Sequence, residues 1–468
     1  MNISRLFTVI ALSLLMAACS SRSADLLESV PSDATLVATF DTPALLSESG
    51  ITIKDGNVTF AGSLGDRLPA GFRNTLSDLA AATKDGALDL SRTALVCDRN
   101  GTEYITCAID SREKLKESFG DRIKWSGETD GLAKGTIDGS TSVAVSDTRL
   151  WMARLDADRL AEGVAAMISA AGKNPMSKVT GISQALAADG LVNIVALRDR
   201  SNPPAGHAEA NAAEYITASL DVADHKTLTA DVKFIKGDGA SVPLKGLKPV
   251  NPAVLAYVPA SAVLTLAAGI TPEFDWSIIG DLFILSGDFQ TQAMFTTALP
   301  YLTAVDGTVM ISAEPLDDEA WEAPDPSNTR ITVMAHMPQA KIDELLDMIK
   351  GMCFGYGIKP STDPKTGMMH IDMLGLHLWL GSADGYFAAS TRPLSADNNN
   401  SLAPVFDGKN GALSLRIPSL RLLNPSFPEF GADLQVQAEP DVTRARLTLP
   451  GSDAPVLESI LNAFYAGR

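Results

Sequence analysis

Two similar eight-residue stretches occur in the chain, VPSDATLV at residues 30–37 and VPASAVLT at residues 258–265. In each copy a proline precedes an extended apolar run, and the run ends at a Thr-Pro step before a helical pattern begins. Proline lacks the backbone donor that the middle of a sheet needs, so it favours the start of a strand. The repeated opening predicts that two related modules begin at these two places.

The elements predicted after each copy come in the same order. A helix candidate (residues 72–82 or 291–302) is followed by a β-hairpin, by a helix with apolar residues every three to four positions, and by further strands. Matching segments are about 214–230 residues apart, in line with duplication of a domain-sized unit. Strands grouped in hairpins with helices between them predict an α+β fold of two related modules, each with an antiparallel β-sheet and packed helices.

A segment rich in Gly and Pro, at residues 237–252, is predicted to be the linker between the modules. A last helix, at residues 454–465, is counted with the second module because it follows that module's strands. The predicted organisation is a signal peptide (1–18), a lipidated tether (19–25), a first module (26–236), the linker (237–252) and a second module (253–468).

The first twenty residues, MNISRLFTVIALSLLMAACS, have the pattern of a lipoprotein signal. Arg5 provides the positive start, residues 6–16 form an apolar run too short to span a membrane, and small residues lead to Cys19. This ending resembles the lipobox of bacterial lipoproteins, in which the cysteine becomes residue one and carries acyl chains such as palmitate. The resemblance implies that Cys19 is the lipidation site and the membrane anchor. A secretory signal that ends in a chance cysteine is the alternative.

Residues 26–46, LLESVPSDATLVATFDTPALL, resemble the opening of a group of Bacteroidetes outer-membrane lipoproteins of unknown function. Chains of that group begin with a Val/Ile-Pro-x-Asp-Ala strand, followed by an aspartate and a Leu-Leu helix. The resemblance implies an outer-membrane location and a two-part layout, and it brings no activity or catalytic residues. Ser20 directly follows the predicted lipidated cysteine, and a serine at this position resembles lipoproteins of the outer membrane. We expect the protein to face the periplasm.

The charge balance of the 468-residue chain argues against nucleic acid as a partner. Lys and Arg number 38 and Asp and Glu number 56, which gives a formal net charge of −18. Such a surface repels phosphate backbones, and the sequence contains no basic stripe to overcome the repulsion. The expected partners are the membrane, through the lipid anchor, and an envelope protein or glycan of unknown identity.

Three further cysteines lie at positions 97, 107 and 353. Cys97 and Cys107 flank the sequence Asp98-Arg99-Asn100-Gly101, which predicts a hairpin turn. A type I turn with the glycine as a bulge places Cys97 opposite Glu103, whereas a two-residue Asn-Gly turn places the two sulfurs on opposite faces. Neither register allows a disulfide between them, so both thiols are expected to be free.

His370 and His377 are candidates for a catalytic or metal-binding pair. If Leu374-Gly375 forms the turn of a hairpin, Asp372 lies opposite His377, and an Asp–His pair can support a metal or a base. A complete site would need a further ligand such as His336, and no HExxH-like spacing supports one. The preferred interpretation is that these are polar residues on a sheet surface.

Two other patterns resemble known sites but have simpler structural explanations. Ser111 with Lys114, and the run Lys365-Thr366-Gly367, resemble boxes of the penicillin-recognising serine enzymes, yet they fall in different modules and Ser111 suits a helix cap. The acidic segment 314–325 lacks the alternating oxygens of a calcium loop. We therefore predict no catalytic residues, cofactor or metal, and a lipid-anchored binding or scaffold protein. The alternative is an envelope hydrolase with a non-standard site in the second module.

Overall fold

The computed structural model describes most of the chain between Ser23 and Ala466. The described residues are 23–84, 86–137, 141–197, 213–243, 245–274, 276, 299–317, 319–323, 325–373, 375–396, 402–422, 425 and 427–466. They divide into two compact units. The first comprises the described residues up to 197, those from 213 to 242 and those from 452, and the second comprises those from 243 to 451. Helices and antiparallel strands are present in both, which confirms the predicted α+β class.

Seven helices and twelve strands of the first unit precede the second unit in the described chain. The helices are α1 (Ser23–Ser29), α2 (Thr42–Glu48), α3 (Leu64–Arg67), α4 (Ala70–Lys84), α5 (Arg112–Phe119), α6 (Ala157–Lys173) and α7 (Thr180–Leu186). The strands are β1 (Leu36–Phe40), β2 (Ile51–Lys54), β3 (Asn57–Phe60), β4 (Leu88–Cys97), β5 (Glu103–Ile109), β6 (Lys124–Thr129), β7 (Leu132–Thr136), β8 (Ser142–Val145), β9 (Arg149–Ala153), β10 (Val192–Leu197), β11 (Tyr215–Val222) and β12 (Thr227–Ile235).

Ten of these strands form one antiparallel sheet, in the order β12-β11-β10-β1-β4-β5-β9-β8-β7-β6. Strands β2 and β3 pair separately as a hairpin. Successive residues of a strand project to opposite faces, and accordingly Leu95 packs in one apolar cluster while Val96 packs in another. The central strands of this sheet are therefore covered on both faces.

Helices α5 and α6 of the first unit each begin at a residue whose side chain caps the helix. The Ser111 hydroxyl accepts a hydrogen bond from the backbone N–H of Lys114, which confirms the predicted cap of α5. Asp156 caps α6 in the same way, through the N–H of Arg159. Gly120 ends α5 with a φ of +49°, a conformation that favours glycine.

The second unit contains three helices and eleven strands among its described residues. The helices are α8 (Glu319–Glu322), α9 (Gln339–Gly355) and α10 (Ala403–Phe406), and Pro252–Tyr257 forms a 3₁₀ turn. The strands are β13 (Leu247–Lys248), β14 (Leu264–Ile270), β15 (Gly307–Pro315), β16 (Thr329–His336), β17 (Ser361–Thr362), β18 (Met369–Met373), β19 (Leu376–Ala383), β20 (Tyr386–Ser390), β21 (Gly411–Ile417), β22 (Ala432–Ala438) and β23 (Thr443–Thr448).

The main sheet of the second unit has the order β23-β22-β21-β14-β15-β16-β20-β19-β18-β17, and all neighbours are antiparallel. The short strand β13 pairs with the end of β14. If β14, β15 and β16 are aligned with β1, β4 and β5, each of the ten strands of this sheet has a counterpart at the same position in the first unit's sheet. Helix α9 covers one face through Ile342 and Leu346, and the 3₁₀ turn and α10 pack on the other.

The last helix, α11 (Val456–Ala466), belongs to the first unit and not to the predicted second module of residues 253–468. Leu457, Leu461 and Tyr465 pack in the apolar cluster that also contains Leu46. The sequence prediction followed chain order, whereas the apolar stripe of this helix is buried against strands and helices more than 200 residues earlier. The second unit is therefore inserted in the sequence of the first, and its start at Pro243 falls within the predicted linker.

The predicted signal peptide (residues 1–18) and Cys19 of the predicted tether lie outside the described residues, as does most of the helix predicted at residues 291–302. Among the helices that the structure describes, none is both long enough and apolar enough to cross a bilayer. Cys97, Cys107 and Cys353 are free thiols, as expected for the first two. Cys97 lies opposite Glu103, so the hairpin has the register predicted for a turn with a glycine bulge.

Candidate functional site

One row of directly paired residues in the second unit's sheet is polar on every strand except β19, where it contains a tryptophan. Partners across a strand pair project from the same face, so the row forms a line across ten strands. Its five central hydroxyl residues, on β21, β14, β15, β16 and β20, are buried, and burying a hydroxyl costs free energy unless it is hydrogen-bonded. From β23 to β17 the row reads Arg446, Gln435, Ser414, Thr265, Ser312, Thr332, Ser390, Trp379, His370 and Ser361.

A cavity of about 230 Å³ opens on this face of the sheet. Glu314 of β15, Arg330 and Thr332 of β16 and Ser390 of β20 form its floor, and segments at residues 257–261 and 393–395 form its walls. Thr332 and Ser390 also belong to the polar row, and their hydroxyl oxygens lie 3.1 Å apart. The cavity therefore lies directly over the polar row.

The charged part of the floor is an ion pair. Glu314 and Arg330 are direct cross-strand partners, and Nη1 of Arg330 lies 3.0 Å from Oε2 of Glu314. The other carboxylate oxygen accepts a hydrogen bond from the Ser261 hydroxyl. The Glu314 side chain is 13% exposed and that of Arg330 is 31% exposed. Nε of Arg330 is buried and has no hydrogen-bond partner among the described residues.

The lining of the cavity is electrically neutral overall. Glu314 and Arg330 are its only lining residues that carry a charge at neutral pH, as far as the structure describes it. The Tyr257 hydroxyl donates a hydrogen bond to Oδ2 of Asp384 at 2.6 Å, so a second carboxylate lies next to the wall. Burial and this hydrogen bond raise the pKa of Tyr257 to about 12, which keeps the phenol neutral.

The predicted histidine pair lies on the same face, beyond the cavity floor. Asp372 is opposite His377, which confirms the predicted hairpin register. Nε2 of His370 lies 3.3 Å from Nδ1 of His377, and Nδ1 of His377 lies 3.8 Å from Oδ2 of Asp372. The His370 ring stacks on Trp379 with ring centroids 4.5 Å apart. The sequence-predicted residues are therefore brought together on one sheet surface.

The surroundings of this pair do not complete a metal site. Its predicted third member, His336, instead contacts the backbone oxygen of Asp306 through Nδ1, at 2.7 Å. Asp363 accepts hydrogen bonds from backbone N–H groups and from the Trp379 indole, which lower the pKa of that carboxyl and fix the indole. Within the described part of the chain, no three His, Cys, Asp or Glu side chains converge on a common metal position.

The two other sequence patterns that resemble known sites, the serine-enzyme boxes and the acidic segment, have local structural roles. Ser111 caps α5, and Nζ of Lys114 pairs with Asp110 at 2.5 Å instead of contacting that serine. The run from Lys365 to Gly367 is a turn that the Asp363 carboxylate stabilises through the N–H of Lys365. In the acidic segment 314–325, Asp317 accepts from the N–H of Ala320 at the start of α8. Glu314, at the head of that segment, lines the cavity.

Sequence reasoning did not find the cavity itself. Arg330 and Thr332 alternate with Ile331 and Val333, a pattern that normally indicates a strand with one solvated face. The loop at residues 393–395 that covers Arg330 and Thr332 is about 60 residues away in the sequence, so local periodicity does not indicate it. Alternation of polar and apolar residues was the only available indication.

Comparison with known proteins gives no match to the chain among family models, curated proteins or solved structures. The function of the cavity has to be inferred from its own geometry and chemistry.

Proposed function

We propose that this protein is a lipid-anchored binding or scaffold protein of the cell envelope, and that its second unit binds a partner through the cavity over Glu314 and Arg330. The anchor would be Cys19, supported by the lipobox-like ending of the first twenty residues. The proposed location is the periplasmic face of the outer membrane, supported by the resemblance of residues 26–46 to outer-membrane lipoproteins. The partner would be an envelope protein or glycan.

The observation that carries the binding proposal is the ion pair on the cavity floor. Removing two charges from water is costly, and replacing such a pair with apolar residues is often neutral or stabilising. Stability alone therefore gives little reason for Glu314 and Arg330 to lie on a sheet floor. Arg330 has five N–H donors, and the contact with Glu314 leaves donors for a ligand. Convergent polar groups in a concave site are the usual basis of small-molecule recognition.

Site-specific cross-linking in intact cells tests this proposal. A photoreactive amino acid is placed at Ser395, on the cavity wall, or at Asp347, which is exposed on α9. Helix α9 packs on the opposite face of the sheet, through Phe387, so Asp347 is a matched control in the same unit. We expect a discrete adduct from position 395 that position 347 does not give. The same adducts from both positions, or none from position 395, would contradict the proposal.

One observation favours the alternative function, an envelope hydrolase in the second unit. The Ser361 hydroxyl lies 3.5 Å from Nδ1 of His370, which in turn contacts His377. A serine next to a histidine base is the arrangement of a nucleophile, although 3.5 Å is at the limit of a hydrogen bond. Hydrolysis of envelope esters or amides that disappears in a folded His377→Ala variant would favour the enzyme. Activity that survives this change would reject the site.

We also propose that the two units are related modules that arose by duplication. The proposal is supported by the equal strand order over ten strands and by the similarity of residues 30–37 to residues 258–265. These two stretches lead into β1 and β14, which hold the same place in their sheets.

A further inference from the structure

We infer that the cavity over Glu314 and Arg330 takes a neutral, hydroxyl-rich ligand the size of a single sugar residue, held through its ring hydroxyls. This inference rests on the proposed binding function and names the ligand class of that site.

The charges around the cavity argue against an ionic ligand. Glu314 offsets the charge of Arg330 at 3.0 Å, and Asp384 lies behind Tyr257 at the wall. A phosphate or carboxylate would lose its hydration here without meeting a net positive charge, and a cation would meet Arg330. The net charge of −18 on the chain adds to the repulsion of anions. A neutral ligand has none of these costs.

The hydrogen-bonding groups on the floor match a polyol. A sugar hydroxyl is both a donor and an acceptor, and neighbouring ring hydroxyls can address two protein groups at once. Glu314 can accept from one hydroxyl while Arg330 donates to the next, and hydrogen bonds to charged groups are about twice as strong as neutral ones. Ser395 is exposed and adds a hydroxyl that can donate or accept as needed. The hydroxyls of Thr332 and Ser390 already bond to each other.

The walls and the size of the cavity fit one ring. Pro259, Ala260, Pro393 and Leu394 line it and offer apolar surface to the C–H groups of a sugar. Its volume of about 230 Å³ is below the roughly 300–1,000 Å³ of sites for drug-sized ligands. The cavity therefore suits a single residue, either free or at the end of a glycan.

Titration of the full-length mature protein in detergent with defined probes tests the inference. The neutral probes are the methyl glycosides of glucose, galactose, mannose and N-acetylglucosamine, and the charged probes are acetate and inorganic phosphate. We expect at least one glycoside to bind with a Kd of about 1–10 mM, because a small ligand makes few contacts. Saturation-transfer NMR detects binding in this range, and acetate and phosphate should not compete.

Three variants locate the binding. Ala260 is an exposed residue on the cavity wall, so Ala260→Trp should fill the cavity without preventing folding. This change should abolish the saturation-transfer signal of the glycoside. Glu314→Gln should weaken binding by about tenfold or more, since it removes a charged hydrogen-bond partner. Glu429→Gln removes the same charge from an exposed pair with Arg421 in the same unit, 2.7 Å apart, and should leave binding unchanged. Circular dichroism confirms that each variant is folded.

Two results would overturn the inference. Acetate or phosphate binding in preference to every glycoside, with loss in Ala260→Trp, would leave the cavity as a binding site for a different ligand class. No glycoside binding at about 50 mM, far above the expected Kd, would reject the sugar. The separate cross-link from Ser395 then decides whether the proposed function survives.

Discussion

Replacing Val456 with alanine should destabilise the first unit and leave the second unit unchanged. Val456 begins α11 and is completely buried. The change removes two methyl groups, which costs about 1.6 kcal/mol in transfer free energy at ~0.8 kcal/mol each. The cavity left behind raises the loss to about 2–3 kcal/mol. For a unit of roughly 200 residues this lowers the melting temperature by about 4–12 °C.

Hydrogen exchange measured by mass spectrometry shows which unit loses stability. Val456→Ala should increase exchange in peptides from β1, β4 and β5. Val254→Ala is the matched control, because Val254 is a completely buried valine in a core cluster of the second unit. This control should increase exchange in peptides from β14 and β15 instead. If Val456→Ala loosened β14 and β15 and left β1 and β4 protected, the placement of α11 in the first unit would be wrong.

Three more predictions follow from single residues. Glu458 of α11 packs against Gly50. Burial raises the pKa of its carboxyl above the ordinary 4.5. The contribution of Glu458 to stability is full below pH 4.5, where the carboxyl is protonated, and is lost as the pH rises through its pKa in the folded protein. Glu458→Gln should therefore raise the melting temperature of the first unit at pH 7 but not at pH 4. A Cβ at Gly269 would lie 2.1 Å from the Lys248 carbonyl oxygen. Gly269→Ala should therefore cost about 3 kcal/mol in denaturant unfolding, whereas Gly172→Ala, which meets open space in α6, should not destabilise the protein. Cys19→Ser should move the protein out of the membrane fraction and abolish palmitate labelling, and retention of both would refute the lipid anchor.

Features set by neighbouring residues were predictable from the sequence. The cap at Ser111, the pairing of Cys97 with Glu103 and the pairing of Asp372 with His377 all depend on turns or first helical turns a few residues long. Such interactions are local, so the residue types that make them are visible in a short window.

Features set by distant segments were not predictable in this way. Helix α11 follows the second unit in the chain, and its amphipathic pattern gives no information about which unit covers its apolar stripe. Arg330 has the alternation of an exposed strand residue, and the segment at residues 393–395 that converts it into a cavity floor is remote in sequence. Both outcomes depend on long-range packing that periodicity does not encode.

The most direct test of the binding site is the Glu314→Gln change measured inside the cell. The yield of the cross-link from position 395 is compared between the wild-type protein, Glu314→Gln and Glu429→Gln, at equal protein levels. Loss of a charged hydrogen-bond partner costs about 1.5–3 kcal/mol, or roughly a 10- to 150-fold loss of affinity. We predict that the yield falls sharply for Glu314→Gln and is unchanged for Glu429→Gln. Equal yields from all three proteins would contradict the assignment of the cavity as the binding site.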